Sequence, residues 1–394
     1  MIQMEFNEVK ELSSKYLFQN YGRIDLSFTH GKGCNLYDTA GNEYLDLVAG
    51  IAVNALGYAH SDWVEAVQAQ VARMVHVSNL YHVEEQAKLA ERIASITPGK
   101  LDRTLFVNSG AEANEGALKV AVRYTGRGKV LAALNGFHGR TAAALGATGQ
   151  TKYQQSFEPL ISDAFRYYEY GNPESVKSMI DKDTAAVIVE PIQGEGGVRT
   201  ASAEFFKTIR DECTDKGALM IVDEVQTGIG RTGQWYGIQN FGVVPDIITM
   251  AKALGNGVPI GAVTTTDEIS AVMTPGTHGT TFGGNPLVTT AGCATIDILK
   301  RDNLVQHAQE MGARWMADLK AIDSPKIKEV RGYGLIIGVE TDTNETAAAV
   351  QRHCRENGVL VNVCHGNTVR LIPPLILTDA EKDRFTGLLR ESVQ

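Results

Sequence analysis

From Thr104 onward the chain repeats one pattern, and that pattern leaves few folds open. Short β-branched and apolar runs occur at 104–107, 129–134, 185–189, 218–222 and 247–250, with helical stretches between them. Strand–helix alternation of this kind predicts an α/β fold: a doubly wound, mostly parallel sheet with helices on both faces. Ligands of such sheets sit beyond the carboxyl ends of the strands, so the turns after the runs are where chemistry is expected.

The segments around this core read differently. Residues 1 to about 20 suggest an amphipathic arm, and 21–50 an antiparallel meander turning at Gly33 and at Ala40-Gly41-Asn42. A helix is expected from Ser61, with Trp63, Val64, Val67, Val71 and Met74 on one face, and a second over 84–96, ending before Pro98. After about residue 295 a helix (306–319), strands near 330–339, a helix near 346–357 and strands near 359–363 and 368–371 suggest a smaller α+β domain. The expected organisation is an N-terminal segment over 1–60 packing with the small domain, a large ligand-binding domain over 61–294, and the small domain over 295–394.

Composition excludes several function classes. A net charge of −9 and a pI near 5.6 argue against binding a nucleic-acid backbone or an anionic membrane. Five cysteines, an odd number without C-x-x-C spacing, argue against a disulfide framework or structural zinc, and no H-E-x-x-H is present, so no metal is expected. The first residues carry acids and lack the apolar core of a signal peptide, and no apolar run has the length of a membrane span. A cytoplasmic location is expected.

Each turn carries candidate chemistry. Two residues past the 247–250 run stands Lys252, followed by Gly255, Asn256 and Gly257, which forbid a long helix. A lysine in a partly desolvated place favours its neutral, nucleophilic form and suits Schiff-base chemistry; a lone lysine would more often be a solvated surface residue. After the first run, Ser109 and Glu112 have capping-box spacing, and the amides of Gly110 and Ala111 open a helix that would favour an anion. After the fourth, Asp223 ends a buried strand, where an acid needs a positive partner such as a pyridinium nitrogen. After the second, Phe137 could stack on a planar cofactor and Arg140 could fork onto a carboxylate. After the third come Glu190 and Glu195 on a glycine-rich turn. Residues 228–233 match G-x-G-x-x-G formally, but DEVQT separates them from the strand and no apolar helix follows, so a nicotinamide-binding reading is set aside.

The segments NSGAEANE, GFHGRT, VEPIQGEGG, DEVQTGIGRTG, AKALGNGVPIGA, HGTTFGGNP and VRLIPPL occur here in the order of a class III, pyridoxal-phosphate-dependent aminotransferase. The chain resembles that family over nearly its whole length. The resemblance implies the pyridoxal-phosphate-dependent transferase fold (fold type I), with a mostly parallel sheet and a smaller α+β domain. It implies that Lys252 bonds to the cofactor and moves the proton, that Asp223 pairs with the ring nitrogen, and that Gln226 lies near the ring hydroxyl. It also implies that Phe137 stacks on the ring and that Gly110 and Ala111 bind the phosphate, with Thr281 of a neighbouring subunit in a homodimer with shared sites. Ser109, His138 and Val225 join these as cofactor-binding positions. Arg140 and Thr280 would contact substrate, Arg370 a carboxylate, and Glu195 would be the movable partner of that arginine. Within the class, the chain length, GFHGRT and THGTTFGGNP most resemble the acetylornithine type. The same motifs occur in ornithine, succinylornithine and 4-aminobutyrate aminotransferases, so the amino donor stays open at this point.

Overall fold

The computed structural model describes residues 4–394; Met1, Ile2 and Gln3 of the expected arm lie outside the described residues. Its central sheet has seven strands in the order Arg103–Val107, Gly261–Thr265, Ile247–Met250, Leu219–Asp223, Thr184–Val189, Lys129–Ala133 and Phe165–Tyr168. Gly261–Thr265 pairs antiparallel with both neighbours, and the other pairs are parallel. Two of these strands, Phe165–Tyr168 and Gly261–Thr265, were not expected from the sequence. The second begins at the same edge where its neighbours end, so the turn before it joins the ligand-binding side.

The continuous apolar runs follow from burial on both faces. Ala186, Ile188, Leu219 and Ile221 pack in one cluster with Ala113, Ala117 and Val120 of the helix Gly110–Thr125. Val187, Val189, Met220 and Val222 point the other way, onto Phe205, Phe206 and Ile209 of the helix Ala203–Lys216. Successive strand residues alternate between these layers, so neither parity can be polar.

The C-terminal part builds a second, antiparallel sheet in the order Ile327–Tyr333, Ile336–Thr341, Thr368–Leu371, Asn362–Cys364. The helices Leu304–Lys320 and Asp379–Ser392 meet through buried Trp315, whose Nε1 donates to Thr386 Oγ1 at 3.1 Å. The meander forms as Phe28–Lys32, Asn35–Asp38 and Glu43–Asp46, and Val359–Leu360 adds to it in parallel.

One expectation is corrected. In the helix Ser61–Arg73 the buried residue is Gln70, whose Nε2 donates to Met74 O at 2.7 Å and closes the helix end. Val71 and Met74, expected on one face with Trp63, Val64 and Val67, are exposed, and among the described residues no element covers that part of the stripe. The arm forms the helix Phe6–Tyr16, which buries none of its residues. No helix of the described residues is long and apolar enough to cross a membrane.

Candidate active site

The carboxyl ends of five strands converge on one cavity of about 440 Å³. Ser109, Gly110, Ala111, Phe137, His138, Arg140, Glu195, Asp223, Val225, Gln226 and Lys252 all line it. Residues separated by more than 140 positions meet because each follows a strand of one sheet.

Lys252 opens a single 3-10 turn, Lys252–Leu254, directly after its strand. Its φ is +41°, in the left-handed region that non-glycine residues seldom occupy, and such strain is characteristic of functional positions. Burial pulls its ammonium down to about 8, with the carboxylates of Glu195, Asp223 and Glu190 opposing and Arg370 reinforcing. The shift enlarges the neutral fraction that a nucleophilic amine requires.

Asp223 is buried and held on both oxygens. Oδ2 accepts from His138 Nδ1 and from Asn114 Nδ2, each at 2.7 Å, and Oδ1 accepts from Val225 N at 3.0 Å. Asn114 is itself fixed by Thr249 Oγ1, which donates to its Oδ1 at 2.7 Å. Burial pulls His138 down, but the hydrogen bond and charge of Asp223 outweigh it and leave the imidazole raised. Glu190 lies behind this group and accepts from Phe137 N at 3.0 Å, which orients the Phe137 backbone. Burial pushes its carboxyl up to about 8. The sequence places Glu190 on a glycine-rich turn; the structure buries it at a strand end. Asn114 was not singled out, although a polar side chain among Ala113 and Ala117 on the inner helix face was the available signal.

At the helix start, Ser109 Oγ accepts from Glu112 N at 3.2 Å, as the capping spacing predicts. Glu112 caps Asn108 N at 2.8 Å. A Cβ on Gly110 would meet Val225 Cγ1 at 2.8 Å, so only glycine lets the helix begin this close to the cavity wall. Arg140 is exposed, with its guanidinium 3.9 Å from the centre of the Tyr153 ring.

Three named residues do not line the cavity. Arg370 is buried behind it, its Nη1 donating to Glu195 Oε1 at 2.6 Å. Burial alone would raise the Glu195 carboxyl, but Arg370 wins and lowers it. Thr280 Oγ1 accepts from Asn108 Nδ2 at 3.0 Å and from Gly283 N at 3.2 Å. Thr281 is exposed to solvent in the single chain. The decoy at 228–233 is a buried loop whose Arg231 donates to the carbonyls of Leu335 and Pro373, tying it to the C-terminal part.

Against known proteins, the family profile "Aminotransferase class-III" matches residues 16–393. The chain belongs to the class-III aminotransferases. It is 45% identical to the acetylornithine aminotransferase of Archaeoglobus fulgidus over 96% of this chain and 98% of that one. It is 42% identical to that of Methanothermobacter thermautotrophicus, over 98% of both. Among solved structures, the ornithine aminotransferase of Toxoplasma gondii matches with a TM-score of 0.94 at 32% identity, over 99% of this chain and 95% of that one. This chain is thus an aminotransferase, and the cofactor of its family is pyridoxal 5′-phosphate. The cavity fits that cofactor chemically: an amine of lowered pKa, a buried carboxylate for a ring nitrogen, aromatic and aliphatic walls, and a capped helix start for a phosphate.

Proposed function

We propose that this aminotransferase moves the terminal amino group of N2-acetyl-L-ornithine to 2-oxoglutarate, giving N-acetyl-L-glutamate 5-semialdehyde and L-glutamate, as in arginine biosynthesis. The relatives named acetylornithine aminotransferase support this donor. The observation that carries it is the ion pair between Arg370, buried behind the cavity, and half-buried Glu195, which lines it.

The two half-reactions make opposite demands. In the donor, the reacting carbon is far from the α-carboxylate; in 2-oxoglutarate, the reacting carbonyl adjoins one. Arg370 paired with Glu195 suits the first, and Arg370 released suits the second. Arg140 and Thr280 take the carboxylate distant from the reacting carbon in both halves.

Pyridoxal phosphate, when bound, supplies an electrophilic carbon and an electron-withdrawing ring. Lys252 Nζ would hold it and would move the proton at the reacting carbon. Asp223 would keep a proton on the ring nitrogen, and His138 and Asn114 hold Asp223 aimed. Phe137 and Val225 would wall the ring and Gln226 would face its hydroxyl; all three line the cavity. Ser109, Gly110 and Ala111 would take the phosphate, with Thr281 contributed by the second copy of a homodimer. The large unit at 61–294 would carry the cofactor, and the N-terminal segment at 1–60 packs with the small unit at 295–394, as the parallel pairing of Val359–Leu360 with Leu45–Asp46 supports. The chain works in the cytoplasm.

A panel of N-acetylornithine, ornithine, succinylornithine and 4-aminobutyrate with 2-oxoglutarate, scored by glutamate formed, tests the donor. N-acetylornithine should give the highest kcat/KM. A higher value for any of the other three would replace this donor.

A further inference from the structure

Arg370 lies directly across from Asn362 of the antiparallel neighbouring strand. Its guanidinium is 1% exposed, so it cannot rely on water for orientation. Nη1 donates to Glu195 Oε1 at 2.6 Å and to Gln226 Oε1 at 3.2 Å, and Nε donates to Asn362 Oδ1 at 3.2 Å. One partner is charged and two are neutral amides. The charged one can leave, because Glu195 sits half-buried on the glycine-rich turn between Gln193 and Arg199. The neutral two are fixed. Asn362 is set by strand register, and Gln226 is wedged so tightly under Gly194 that a Cβ there would overlap its Oε1.

We propose that Asn362, together with Gln226, is a positioning residue of the carboxylate site: both hold the guanidinium aimed without consuming its charge. Glu195 alone then decides whether Arg370 is free for a substrate carboxylate. This rests on the exchange of Glu195 for substrate proposed above. The reasoning is electrostatic. A neutral acceptor orients a guanidinium through a hydrogen bond of ordinary strength, whereas a carboxylate both orients and neutralises it, with a bond about twice as strong. A carboxylate at position 362 would therefore mask Arg370 in both half-reactions.

The test compares the holoenzyme with Asn362→Asp, Asn362→Ala and Glu195→Gln. The readouts are the dissociation constant of glutarate, a dicarboxylate that cannot react, the KM for 2-oxoglutarate, and the single-turnover rate with N-acetylornithine. Asn362→Asp should weaken glutarate and raise the KM by roughly tenfold or more, with the amine half affected much less. Asn362→Ala should weaken glutarate by a smaller factor, and it keeps the proposal testable if Asn362→Asp does not fold. Unchanged glutarate affinity in either variant, or equal losses in both halves, would overturn the role of Asn362. Glu195→Gln should slow the amine half while glutarate still binds well. If Glu195→Gln fails to separate the halves, the exchange itself falls and the Asn362 proposal falls with it. If Glu195→Gln separates them and Asn362→Asp does not, the role of Asn362 alone falls.

Discussion

Asp223 shows how much of a residue's chemistry lies outside its own motif. Its position after a buried strand is readable from the sequence, and so is its need for a positive partner. The Asn114 and Thr249 that steer it are not, because they come from other elements and meet it only through the fold. Asn362 is hidden for the same reason: in sequence it is one polar residue in a short strand. Glu190 carries a consequence for pH. Its carboxyl rises from 4.5 to about 8, so the folded protein binds more protons than the unfolded chain between those values. Its contribution to stability is therefore complete below 4.5 and is lost as pH rises through about 8. Lys252 is shifted the other way, from 10.5 to about 8, so its effect falls above this window. Cofactor-free Glu190→Gln should lose less stability than the parent between about pH 5 and about pH 8, read from urea midpoints. Identical slopes would mean that Glu190 titrates normally.

At the scale of elements, five strands and the helix Gly110–Thr125 were legible from apolar runs and capping residues. The strand Gly261–Thr265 was not. It follows the Lys252 turn at once, where a βα pattern leads one to expect a helix, and its buried Thr264 and Thr265 make it look polar. The hydroxyl of Thr264 is satisfied by Thr104 Oγ1 across the pair at 3.1 Å, so burial costs little. This strand also sets the helix start. A Cβ on Gly261 would overlap the carbonyl of Ser109, the residue that caps the helix. Gly261→Ala should destabilise the protein by about 1–3 kcal/mol, as overpacking does, and should also weaken cofactor binding. Thermal unfolding and a cofactor titration check this together. A variant that loses stability but binds cofactor as tightly as the parent would separate the strand from the phosphate end.

For the whole molecule, the amphipathic stripe on Ser61–Arg73 was legible but its cover was not. Val71 and Met74 remain exposed, as do Leu80, Tyr81 and Phe282. Asn79 Nδ2 donates to Gly283 O at 2.9 Å, which places Leu80 and Phe282 on joined segments. Clustered exposed apolar residues are what a subunit interface offers. They support the proposed homodimer, in which Thr281 serves the partner's site. Thr281→Asp should repel a phosphate and Lys252→Ala should remove the chemistry, so each homodimer should be inactive. In a hybrid, one site collects both lesions and the other neither, and activity should return. A verified hybrid with no activity would mean that Thr281 serves its own chain.

Everything proposed for this site depends on Lys252, just past the strand Ile247–Met250, carrying the amine that bonds to the cofactor. Borohydride reduction of the holoenzyme, followed by peptide mass spectrometry, reads that bond directly. A pyridoxyl phosphate adduct is expected on Lys252 and should be lost in Lys252→Ala, which should still fold. An adduct on another lysine, or an active Lys252→Ala without added amine, would contradict it.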